Sequence, residues 1–119
     1  MPKATGEWVD AGTVRMPVMI LTYEEEMDEV GPVWIARSIL TGHIAAGTTE
    51  AKAEEFLRRT IAYSIERAGK PGKTFDQWFR EQRPAEPHFV EQYFRCAIDV
   101  GRNLDWSAHG RSAVAMALA

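Results

Sequence analysis

The stretch "LTGHIAAGTTEAKAEEFL", residues 40–57, passes from extended chain into a helix, and the order of its Leu, Gly, Gly and Thr decides how the flanking segments are arranged. Gly42 breaks the chain, "HIAAG" is short and extended enough for a strand, and Thr49 stands before a run without Gly or Pro up to Ala68. That run predicts the main helix. Its apolar residues Ala53, Phe56, Leu57, Ile61, Ile65 and Ala68 recur at helical spacing, so they form one stripe that a neighbouring layer must cover. Thr49 is placed to cap the helix by accepting from a backbone N–H, although Lys52 stands where a capping box needs an acid or amide. Gly42 and Gly47 are expected at backbone conformations that a Cβ disfavours.

Working outward towards the N-terminus, "TVRMPVMILTY", residues 13–23, is rich in β-branched and large apolar side chains and predicts a strand. Pro17 inside it cannot donate to a ladder, which places it at an edge, at a bulge, or with its nitrogen facing away from the partner strand. "EEEMDEVG" then reads as a turn or loop, and "PVWIARSIL", residues 32–40, as the returning strand of a hairpin. Trp34, Ala36, Ser38 and Leu40 share one face of that strand, with Val33, Ile35, Arg37 and Ile39 on the other. "EWVD" could add a short strand further upstream.

Towards the C-terminus, "GKPGK", residues 69–73, ends the helix and marks the boundary between a sheet-helix domain, residues 1–68, and a helical C-terminal extension, residues 74–119. "TFDQWFREQ" opens with a Thr-x-x-Gln capping box and puts Phe75, Trp78 and Phe79 on one side of a short helix. Residues 87–103 read as a further helix, since Pro87 suits a first turn and Val90, Tyr93, Phe94, Ala97, Ile98 and Gly101 follow the helical period; the alternative is a strand through "QYFRCAID". The fold class expected is therefore α+β, an antiparallel sheet of three or four strands with one long helix packed on it and C-terminal helices after it.

With 119 residues, 45% of them hydrophobic and 26% charged, the chain is the size and composition of one globular domain. No apolar run approaches the roughly 20 residues that cross a bilayer, and "MPKATGEWVD" is not a secretory signal, so the expected location is cytoplasmic, with no membrane partner. The single cysteine, Cys96, cannot form an internal disulfide and reads as a buried inert thiol. The formal charge of −3 is unevenly spread: residues 1–69 carry seven Lys or Arg against eleven Asp or Glu, and the remainder seven against six.

Candidate sites are few. Glu24, Glu25, Glu26, Asp28 and Glu29 form a run that is either a solvated loop or a docking patch for a basic partner. His43, His88 and His109 lack metal-ligand spacing, the serines lack a nucleophile-elbow context, and "GKPGKT" lacks the glycine spacing of a phosphate loop, so no catalytic residue, metal or cofactor is assigned. Trp78, Phe79 and Trp106 exceed what a short terminal helix needs for its own packing, which points to a homo-oligomer interface.

The order hairpin, Leu-x-Gly, short strand, Gly-x-Thr, long amphipathic helix over residues 14–68 resembles the HicB-like antitoxin domain, with Leu40, Gly42, Gly47, Thr49, Ala53 and Leu57 at the corresponding places. Thr41, His43 and Thr48 replace the Pro, Cys and Asp usual there. The resemblance implies a double-stranded-RNA-binding-like sheet-helix fold and a non-catalytic antitoxin that covers a small basic ribonuclease toxin. Many such proteins also carry a C-terminal DNA-binding module; "GRSAVAMALA" is faintly similar to the end of a ribbon-helix-helix, without the basic strand that should precede it. The alternative role is a structural or oligomeric scaffold with no toxin partner.

Overall fold

The structure, a computed structural model, describes residues 2–103. Four strands, β1 (Lys3–Ala11), β2 (Val14–Met27), β3 (Gly31–Ser38) and β4 (Ile44–Gly47), form one antiparallel sheet in the order β1-β2-β3-β4. Helices α1 (Glu50–Gly69), α2 (Phe75–Glu81) and α3 (Pro87–Asn103) follow. The α+β class and the four-stranded sheet agree with the expectation, and residues 90–99 are helix.

Alternation along β2 sorts the core into two halves. Met16, Val18 and Ile20 face α1 and pack with Val9, Ala36, Ala53, Leu57, Ile61, Ile65 and Trp78. Met19 and Leu21 face the other way and pack with Ile39, Tyr93 and Ala97, so α3 covers the second face of the sheet. Tyr93 is fully buried there; its hydroxyl donates to the Thr5 carbonyl at 3.3 Å, and burial pushes its pKa up to about 12. The described part of the C-terminal segment is thus a layer of the same core. Cys96, half-buried on α3, points its thiol at the Pro2 carbonyl, 3.6 Å away.

Pro17 sits opposite Trp8 in the β1–β2 ladder. The Met19 carbonyl accepts from the Ile39 N–H at 3.0 Å, so by alternation the backbone of Pro17 also turns towards the β3 side, in a part of β2 that β3 does not reach. Its missing donor therefore leaves no ladder bond unmade.

The two glycines of the opening stretch have separate reasons. Gly42 has φ +75, and a Cβ there would run into the Arg83 carbonyl, because the α2–α3 connection crosses over it. That crossing is fixed by the Ala85 N–H, which donates to the Ile39 carbonyl at 3.0 Å. Gly47 has no left-handed φ. Its role is space: a Cβ would stand 2.7 Å from the backbone nitrogen of Ala53, where the first turn of α1 presses on β4. Thr49 caps α1 by accepting from the Lys52 N–H at 3.1 Å, and Thr74 with Gln77 forms the complete capping box of α2.

Three expectations are corrected. Glu24, Glu25, Glu26 and Met27 belong to β2, and only Asp28–Val30 make the turn, because pairing with Gly31–Trp34 outweighs the poor strand preference of glutamate. Phe56 is 41% exposed, since the buried stripe runs in steps of four through Ala53, Leu57, Ile61 and Ile65 and Phe56 lies about 100° round the helix from Leu57. Leu40 lies in the turn after β3 and is 37% exposed.

Leu57→Ala should accordingly destabilise the fold by about 2–5 kcal/mol, whereas Phe56→Ala should change it by less than about 1 kcal/mol. Urea unfolding of the two variants decides this, and equal losses would place the helix face incorrectly.

Candidate partner-binding site

The ladders end at different points. β1 stops pairing with β2 at Lys3↔Thr22, and β4 stops pairing with β3 at Trp34↔Gly47. Beyond these limits Tyr23–Met27 and Gly31–Val33 pair only with each other, as a two-stranded arm that projects from the sheet. The arm carries all five residues of the acidic run, each exposed. Opposite Glu24, Glu25, Glu26 and Met27 stand Trp34, Val33, Pro32 and Gly31, so no cation faces any carboxylate across the ladder. Among the described residues none of the five has an ion-pair partner. Met27 and Val30 at the tip are 46% and 75% exposed, which gives the acidic arm an apolar end.

The base of the arm is held from both faces. On the α1 side the Thr22 hydroxyl donates to Glu54 at 3.2 Å, and the Lys3 ammonium reaches Glu50 at 2.8 Å beside it. On the α3 side Arg37 donates from Nε to the Tyr23 hydroxyl at 2.7 Å, while its guanidinium lies 3.8 Å from the centre of the Phe89 ring. Tyr23 and Phe89 stack with an interplanar angle of 8° at 6.2 Å. A partly desolvated cation over the Phe89 ring, hydrogen-bonded at the same time to Tyr23, contributes roughly 1–2 kcal/mol and ties the base of the arm to α3. Neither contact was legible beforehand, because Tyr23, Arg37 and Phe89 are far apart in sequence.

The proposed oligomer residues lie elsewhere. Trp78 packs beside Ala11 and Val14, at the opposite end of β2 from the arm. It is 3% exposed and donates from Nε1 to the Ser64 hydroxyl at 2.9 Å, so it belongs to the core of its own chain and offers no surface to another. Phe79 is 37% exposed on α2, and Trp106 falls outside the described residues.

His43 lies half-buried with its ring stacked on Trp78 at 6.2 Å, and its Nδ1 is 2.8 Å from the Thr41 hydroxyl, which in turn donates to the buried Ser38 at 2.6 Å. This chain of contacts closes the turn that contains Gly42; the Ser38 hydroxyl has no access to solvent. Burial holds the His43 pKa below its ordinary value. His88 is exposed, 3.6 Å from Glu86, and His109 is outside the described residues. Among the described residues no three His, Cys, Asp or Glu side chains converge as metal ligands. A cleft of about 370 Å³ between the β1–β2 turn and the start of α2 contains Glu66 and Lys73, and Lys73 is committed to Glu81 at 2.6 Å. Among the described residues no helix is long and apolar enough to cross a membrane.

No family model, no curated protein and no solved structure matches the chain.

The depressed His43 has a measurable consequence. The unfolded chain takes up this proton at a higher pH than the folded one, so stability is complete above the ordinary histidine value of 6.5 and falls as the pH drops from there towards the folded-state pKa. Thermal melts between pH 7.5 and 5.5, roughly one unit either side of the free-histidine range, should drop more for the parent than for His43→Gln. Identical slopes would exclude His43 as the responsible group.

Proposed function

We propose that this chain is a non-catalytic, cytoplasmic binding protein of the antitoxin kind, whose acidic arm covers the substrate groove of a small basic ribonuclease. The observation that carries this reading is the arm itself: five exposed carboxylates without cations among the described residues, mounted on a hairpin clamped at its base. A groove that binds phosphate presents cations, and carboxylates spaced along a strand offer them a substitute for the nucleic-acid backbone. Long-range attraction between such surfaces raises association rates by about ten- to a thousandfold at low salt. Met27 and Val30 add apolar contact once the arm has seated.

The resemblance to the HicB-like domain is consistent with this proposal. Gly42, Gly47 and Thr49 are each required by a close passage or a cap, at the junctions where that family's pattern has them. The scaffold role, by contrast, leaves the charge of the arm only the task of keeping its exposed strand edges from pairing.

Replacing Glu24, Glu25, Glu26 and Glu29 with Gln and Asp28 with Asn tests the proposal, since these exposed groups can change without altering the core. Against a co-purifying basic ribonuclease, the association rate at low salt should fall by about tenfold or more and its salt dependence should flatten, with thermal stability retained. Growth rescue that survives all five substitutions unchanged would remove the arm from the mechanism.

A further inference from the structure

Helix α1 presents a second stripe, opposite the buried one. Lys52, Phe56, Arg59, Tyr63, Arg67 and the C-cap Lys70 follow one another at helical spacing, and all six are exposed. Phe56 and Tyr63, 41% and 63% exposed, stand two turns apart, about 10 Å along the axis. Cations precede, separate and follow the two rings. Arg59 has a carboxylate beside it, Glu55 at 2.6 Å, but Lys52, Arg67 and Lys70 have none among the described residues. Large rings left in water among cations, three of them unpaired among the described residues, are the composition of a contact surface, and the sheet already uses the other side of this helix.

We propose that this outer face of α1 receives the acidic arm of a second copy of the same chain. The complementarity is present on both surfaces: five carboxylates and the exposed Met27 and Val30 on the arm, four cations and two exposed rings on the helix. Each copy carries one arm and one helix face, and these are different surfaces. The contact is therefore heterologous, and repetition closes a ring or extends a chain of molecules. The inference stands without a toxin, but it adds a regulation to the proposed function, because a basic partner and a second copy compete for the same arm. Phosphates and stacked bases of a single-stranded nucleic acid would suit the stripe as well, and the test separates them.

Sedimentation velocity of the full chain at low salt, over a wide concentration range, should show reversible association that salt weakens. A face-reversed variant (Arg59→Glu, Arg67→Glu, Lys70→Glu) and an arm-reversed variant (Glu24→Lys, Glu26→Lys, Glu29→Lys) should each associate at least about tenfold more weakly than the parent. Mixing the two should restore association, since each reversed surface then meets its complement. Circular dichroism melts confirm that both variants fold; should a reversal unfold the chain, neutral Gln substitutions at the same positions replace it. A parent that stays monomeric at low salt overturns the proposal, as does association indifferent to the face reversal. So does binding of a labelled oligothymidylate by the stripe in a chain that stays monomeric. Rescue from a ribonuclease is read separately, so either idea can fail while the other holds.

Discussion

Val18, Met19, Ile20, Leu21 and Thr22 are five consecutive residues, each no more than 5% exposed, and the architecture depends on covering both of their faces. One strand cannot do this alone. β1 and β3 satisfy its backbone, α1 covers the even-numbered side chains and α3 the odd-numbered ones. Where α1 and α3 no longer cover β2, three glutamates follow and every residue from Glu24 to the turn is exposed. The acidic arm is thus the same strand continued past its cover.

Much of this was readable from the chain. Thr49 and the Thr74–Gln77 pair announced the starts of α1 and α2, and steps of four in Ala53, Leu57, Ile61 and Ile65 identified the face that packs. The error at Phe56 has a simple physical source. A helix in this position buries a stripe narrower than its apolar content, and periodicity counts an apolar residue beside the stripe as part of it. For β2 the β-branched and apolar content of "TVRMPVMILTY" announced a strand, but that Val18–Thr22 is covered on both faces emerged only with the placement of α1 and α3. The amphipathic period of residues 87–103 supplied the missing layer, yet nothing local told which surface it would meet.

The candidate site was legible in composition and illegible in geometry. Five acids within six positions are obvious in the sequence, but whether they form a loose turn or a paired arm depends on where β1 and β4 end, and on the Tyr23–Arg37–Phe89 clamp. Trp78 shows the converse case. An aromatic excess suggested an outer surface, whereas the ring fills the space between β1, α1 and α2 and hydrogen-bonds Ser64. The glycines lie between these extremes: their presence was informative, but Gly47 answers to the close approach of α1 and not to backbone conformation.

In the free chain a protected strand should continue into an exposed arm of the same ladder. Amide hydrogen exchange on the dilute free chain measures this directly. The amides of Ile20 and Thr22 should be among the slowest, close to the global unfolding limit, while those of Glu24 and Glu26, which face away from β3, should exchange orders of magnitude faster. Glu24 and Glu26 amides as protected as Ile20 would mean that the arm is already covered within the single chain, and would contradict the binding role proposed for it.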